Sequence, residues 1–206
     1  MPGRLRRTTN RFLGILRSRE EVADCPVAVE PLYPWYVQTN AAELRQGDIL
    51  LKSPRPLIPA SLSTDTPAAS PARIEVEFVD TVILTQSCDL ANAKVRHVLL
   101  APHWALQDMQ DAAPFLKSKD GRETLRRGNI PGLHLLDGCE GTVPSWGLRV
   151  VDFREVYSLP TAVVQRCAAE QSTRLRLLPP YREQLAQAFG RFIMRVGLPV
   201  DIPPFK

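Results

Sequence analysis

Val82-Ile83-Leu84-Thr85-Gln86-Ser87-Cys88-Asp89 sets three consecutive apolar residues, two of them β-branched, against a polar run with no glycine between them. A short continuous apolar run suits a strand buried on both faces, which then delivers the polar residues behind it to a surface. Just upstream, Ile74, Val76 and Phe78 alternate with Glu75 and Glu77, the period-two pattern of a strand with one buried and one wet face. Downstream, residues 95–101 (Val-Arg-His-Val-Leu-Leu-Ala) read as another strand ending before Pro102, so residues 87–94 form a tight connection between neighbouring strands. Further back, Gly47-Asp48 and then Ile49-Leu50-Leu51-Lys52 read as a turn and a first strand. The intervening residues 53–72 contain Pro54, Pro56, Pro59, Pro67 and Pro71 and are expected to be a long loop, because proline removes a ladder donor.

Beyond Pro102 the pattern turns helical. Leu106, Met109, Ala113 and Leu116 are spaced at three and four, broken by Pro114 and Gly121, which predicts a helical insertion over 104–128. Leu133-His134-Leu135-Leu136 suits a short strand, and residues 146–159 a longer one with Val150, Val151, Phe153, Val156 and Tyr157 as apolar members. Pro179-Pro180 introduces a C-terminal amphipathic helix over 180–196, striped by Tyr181, Leu185, Ala188, Phe189, Phe192, Ile193 and Val196 and stopped by Gly197 and Pro199. The predicted fold is mainly β (α+β), a single domain over 23–206 preceded by a basic arm over 1–22.

Composition bounds the function. The chain has 206 residues, 44% of them hydrophobic, and no apolar run approaching the ~20 residues of a membrane span. Phe12-Leu13-Gly14-Ile15-Leu16 is shorter than a secretory core of roughly 7–15 residues, so a cytoplasmic protein with no membrane association is expected. Cys25, Cys88, Cys139 and Cys167 form no C-x-x-C pair, and His97, His103 and His134 no helical ligand pair; neither a metal nor a cofactor is expected. The net charge is +4, but residues 1–20 carry six arginines against Glu20, which leaves the rest of the chain at −1. Phosphate binding by a folded basic stripe is therefore not indicated. Arg4, Arg6, Arg7 and Arg11 are the candidates for contacting RNA, DNA or an acidic protein through the arm, against the alternative of a solvated terminus.

The polar cluster after the apolar run offers further candidates. Cys88 could serve as a nucleophile if His97 or His103 lay beside it as base, which is the cysteine-hydrolase alternative. The structural alternative makes Cys88 a small packed residue, Asp89 a cap of a turn or short helix over 90–93, and Gln86 a partner for backbone groups. Asp152 and Arg154 lie two apart on one strand face and are expected to pair, with Asp89 or Arg96 as further partners across the sheet. Tyr33, Trp35, Tyr36, Trp104 and Trp146 are either core or a partner-facing, base-stacking surface.

Gly47-Asp48-Ile49-Leu50, the proline-rich stretch 53–72, Val82 to Asp89 and Val98-Leu99-Leu100-Ala101-Pro102 together resemble the PemK/MazF-like family of small SH3-like β-barrels, over about residues 47–102. The resemblance implies a barrel capped by the C-terminal helix, a homodimer as one assembly, and in the family's best-known members an endoribonuclease. That activity needs an arginine before the central strand and a serine or threonine after the second strand's proline. This chain has Asp80-Thr81 and His103-Trp104 at those places, with Arg73 and Arg55 the nearest cations. The expectation is a non-catalytic regulatory or adaptor protein binding a protein partner, in a bacterial antiviral-defence or toxin-antitoxin-type setting. The alternative is a divergent endoribonuclease using His103, Arg73 or Cys88, with Asp89 and His97 as the other catalytic candidates.

Overall fold

The computed structural model describes residues 34–59, 74–142 and 144–194. The described chain is a mixed α+β fold with antiparallel strands in two sheets and five α-helices. The larger sheet is built on β2 (Ile49–Leu57), β3 (Glu75–Ile83) and β4 (His97–Ala105), then β6 (Arg149–Asp152) and β5 (Leu133–Leu136), in that spatial order; β7 (Tyr157–Pro160) also pairs with β4. A second, two-stranded sheet joins β1 (Tyr36–Thr39) to β8 (Arg174–Leu177). The strands do not close, so the expected barrel is corrected to two open sheets.

The central strand behaves as its composition requires. On β3, Val82 faces a core shared with Ile49, Ala101, Val151, Leu177 and Leu185, whereas the next residue, Ile83, faces a second core with Leu50, Leu100, Leu159 and Val164. Successive strand residues point to opposite faces, so burial on both sides demands an unbroken apolar run. The first core is covered by α5 (Tyr181–Ile193) through Leu185, Ala188, Phe189 and Phe192. The second is covered by α4 (Thr161–Ala169) through Val164 and Ala168. A third core of Met109, Leu116, Leu125, Leu133 and Val150 seats the helical insertion, α2 (Leu106–Ala112), a 3-10 turn (Pro114–Lys117) and α3 (Lys119–Arg126), on the β5–β6 end.

Several boundaries differ from the sequence reading, each for a physical reason. β2 runs on through Pro54 and Pro56, which had been assigned to a loop; it is the edge strand, where a missing outward N–H costs no ladder bond. β4 likewise continues through Pro102 to Ala105, taking Trp104 out of the helical insertion. Pro102 lies across from the break between β6 and β7, a 3-10 turn at Phe153–Glu155, where no ladder bond is required. That turn also divides the expected single strand 146–159. The C-terminal helix ends at Ile193, inside the expected 180–196. Strands β1 and β8 and helix α4 had no counterpart in the sequence reading. The basic arm 1–22 and the boundary at 23 lie outside the described residues, as do residues 60–73 of the proline-rich stretch. No helix among the described residues is long and apolar enough to cross a membrane.

Candidate functional site

Gly47-Asp48 proves to be a structural joint. Gly47 has φ +82°, and a Cβ there would sit 2.9 Å from that of Leu177, so both the turn and the close packing exclude a side chain. Asp48 is fully buried; its Oδ2 accepts from Arg174 Nε (3.0 Å), Arg176 Nη2 (3.0 Å) and the Arg45 amide (3.1 Å), and Arg176 also reaches Oδ1. Arg174, 3% exposed, donates from Nη2 to the carbonyls of Ala41 and Glu43. A carboxylate removed from water is tolerated only when paired and hydrogen-bonded in this way. The joint ties the start of β2 to β8.

The polar run after the central strand opens a short helix, α1 (Ser87–Ala91). Ser87 Oγ accepts from the Gln46 amide (3.1 Å) and Thr85 Oγ1 from the Leu99 amide (2.7 Å), which fixes this end of the sheet. Cys88 is exposed, with Gln86 Oε1 at 3.7 Å and Asp89 Oδ1 at 3.8 Å from its sulfur. Asp89 lies in the first turn of α1 and 3.9 Å from Lys94, not at the cap; the N-cap is Gln86, whose carbonyl accepts from the Asp89 amide (3.1 Å). His97 is exposed at the start of β4.

His103 is wholly buried. Its Nδ1 accepts from Arg149 Nε (3.0 Å), and Arg149 Nη2 bonds Asp80 (2.7 Å), so Asp80, Arg149 and His103 form one chain. Burial, reinforced by the Arg149 guanidinium, pushes the imidazole down to about 3. A ring that is enclosed and held neutral is out of reach of an RNA 2′-hydroxyl and has little basicity to offer it. Asp80, which the family comparison marks as a departure, serves here to neutralise Arg149. Asp152 and Arg154 pair as expected, at 2.5 Å and 2.8 Å, and among the described residues no other ion pair involves them; neither Asp89 nor Arg96 joins them. Trp35, Tyr36 and Trp146 pack against the first core and Trp104 against the third, Trp35 stacked on Tyr181 with centroids 3.7 Å apart. Arg55 lies over Trp104 and pairs with Glu77 and Glu155. Arg4, Arg6, Arg7, Arg11, Tyr33 and Arg73 lie outside the described residues. The structure thus does not gather Cys88, Asp89, His97 and His103 into one site.

The feature that stands out was read the other way round in the sequence. β3 pairs with β4 only through Thr81, Val82 and Ile83, so the outer parts of β2 and β3 project as a two-stranded ribbon. Phe78 pairs with Pro54 and Val76 with Pro56, which puts these four on one face, with Ile58 and Ile74 continuing it. The alternation of Ile74, Val76 and Phe78 predicts that these residues point inward; instead Ile58, Ile74, Val76 and Phe78 are 70%, 51%, 49% and 68% exposed. The opposite face carries Arg55 and Glu77, paired with each other and, through Glu155, with the body. A period-two pattern identifies two faces but not which of them is covered, and here the charged face is the one turned to the protein. A hollow of about 370 Å³ lies between Phe78 and Pro54 on the ribbon and Val163 and Arg166 on α4.

No family model matches this chain. No curated protein matches it either.

Proposed function

We propose that the protein is a non-catalytic adaptor that docks a protein partner on the outer ribbon of β2 and β3. The observation that carries this reading is the exposed apolar face of Ile58, Ile74, Val76 and Phe78. A contiguous apolar patch left in water is costly to a monomer and marks a binding surface. The occupant that fits is an extended segment added as a strand. Among the described residues, 75–79 of β3 have a strand neighbour on the β2 side alone, so their other edge offers backbone groups for β-augmentation, while the outer edge of β2 is blunted by Pro54 and Pro56. The partner's alternate side chains would be apolar against Phe78 and Val76. Lys52 and Arg166, which pair with no carboxylate among the described residues, outnumber Glu170 around the hollow and favour an acidic flank on that segment.

The PemK/MazF-like, SH3-like reading of residues 47–102 belongs to the same proposal, with a role in bacterial defence or a toxin-antitoxin-type locus. Its support is the order of elements: Gly47-Asp48 opening β2, β3 ending in a polar turn, and β4 carrying Pro102. The enclosure of His103 and the separation of the other candidates favour binding over RNA cleavage.

Replacing Phe78 with a photo-reactive benzoylphenylalanine in the native host should yield one discrete cross-linked protein whose linked peptide is an extended, apolar segment, and the same group at exposed Lys119 should yield none. A cross-linked dimer of the chain itself would reassign the face to self-association and end the adaptor reading. So would discrete products on incubating the purified protein with mixed-sequence RNA.

A further inference from the structure

A half-open cavity of about 530 Å³, within the range of small-molecule sites, lies between α3, α5 and β5. Three arginines line it, Arg126 and Arg127 from the end of α3 and Arg191 from α5. Like charges converging on one hollow repel unless something neutralises them. Glu123 does part of this: Arg126 donates to both of its oxygens at 2.7 Å and Arg127 to one at 2.8 Å. These bonds also hold the two guanidiniums in place. Arg191 pairs with no carboxylate among the described residues. Asp137 is the acid in the wall, and its Oδ1 is taken by the Gly138 amide at 2.8 Å. Counting both carboxylates, the hollow keeps one positive charge more than it neutralises.

The rest of the lining says what kind of anion fits. Leu125, Leu135 and Leu148 make part of the lining apolar, and Trp35 belongs to it too, held by its stack on Tyr181 at 3.7 Å and 9°. His134 is part of the wall, its Nε2 enclosed and without a hydrogen-bond partner among the described residues. Its basicity is suppressed to about 4 by burial and by Arg191, so it adds no charge near neutrality. Gly128, at φ +69°, contributes no side chain to the rim, and Arg191 Nη2 is 3.8 Å from where a Cβ would stand. The hollow thus combines an anchored pair of guanidiniums, one unpaired guanidinium, a partly apolar lining and a stacked indole.

We infer that this cavity binds a phosphate monoester carried on a planar heterocycle, a mononucleotide, with the phosphate held among Arg126, Arg127 and Arg191 and the ring against Trp35 and the leucines. Guanidinium forks match phosphate oxygens in bidentate geometry, and a fixed aromatic edge favours a flat apolar body over an extended chain. The site is separate from the outer ribbon and stands or falls independently of the docking proposal. It would make the adaptor responsive to a small ligand.

The test is calorimetric titration of the full chain with the four 5′-mononucleotides, with a nucleoside and inorganic phosphate as controls. The expected result is saturable binding of at least one mononucleotide, at least about tenfold tighter than either control, weakening as salt rises. Arg191→Gln should weaken it by roughly tenfold or more. Arg191 is exposed and pairs with no carboxylate among the described residues, so losing its charge from the last turn of α5 costs the fold little; Arg127→Gln provides a second, independent reading. No saturable binding of any mononucleotide up to about 1 mM would overturn the assignment. So would binding that both substitutions leave unchanged, or inorganic phosphate binding as tightly as the nucleotide.

Discussion

The inner and outer halves of the β2–β3 hairpin are made of the same two strands and have opposite fates. In the inner half, Ile49, Leu50, Val82 and Ile83 are flanked by β4, roofed by α4 and α5, and fully buried. In the outer half, Val76 and Phe78 are just as apolar and stand in water. The difference lies in the third strand, since β4 pairs with β6 after Pro102 and, among the described residues, no strand flanks the ribbon on that side. Hydrophobicity alone therefore does not make a residue core; a covering element must reach it.

The sharpest way to test the contrast is to attack the joint that anchors the inner half. Asp48→Ala would leave Arg174 and Arg176 buried without their carboxylate and should lower the unfolding free energy by about 3–5 kcal/mol in a urea titration. A loss below about 1 kcal/mol would mean that the buried pair is dispensable. Ile83→Ala opens a cavity in the core beneath α4 and should cost about 3 kcal/mol with no change in slope against denaturant.

A pH response follows from the inner half's neighbour on β4. His103 must be neutral in the folded chain but titrates near its ordinary value of ~6.5 when unfolded, so its contribution is intact above that pH. Stability should then fall as pH drops from about 6.5 toward 3, by on the order of 1 kcal/mol per unit, because the unfolded state takes up the proton first. His134, lowered to about 4, adds a similar slope in the upper part of the window. His103→Gln, which keeps an acceptor near Arg149, should therefore about halve the dependence between pH 6 and 5; an unchanged profile would remove His103 from the account. The smallest effect belongs to the outer half. Phe78→Ser should change stability by less than about 0.5 kcal/mol while abolishing partner capture, and a large destabilisation would show that the ribbon face is core after all.

The contrast also explains what the sequence could and could not tell. The central strand was legible because Val82-Ile83-Leu84 is unbroken and apolar, and α5 because Leu185, Ala188, Phe189 and Phe192 keep a helical stripe. β8 carries the alternation of a strand in Arg174-Leu175-Arg176-Leu177, but the pattern implies a charged, wet face, whereas Arg174 is buried against an aspartate 126 residues earlier. Helix α4 left a fainter trace in Val163, Val164, Cys167 and Ala168, spaced as on one helical face. The candidate site was visible as a pattern but misjudged in direction, because which side of an alternating strand is covered depends on elements far away in the chain. The arginine cavity was invisible for the same reason: Arg126, Arg127 and Arg191 converge only once α3 and α5 have packed.

The joint at Asp48 has a bearing on how the protein is made. Arg176 follows it by 128 residues, and at a translation rate of about 5–20 residues per second the carboxylate waits roughly ten seconds for its guanidinium. Until β8 has left the ribosome, β1 has no strand to pair with and the Ile49–Val82 layer has no roof. The nascent chain must therefore be kept from aggregating until β8 and α5 have emerged, and a frameshift anywhere before residue 174 should leave a chain that is degraded rather than a shorter working domain.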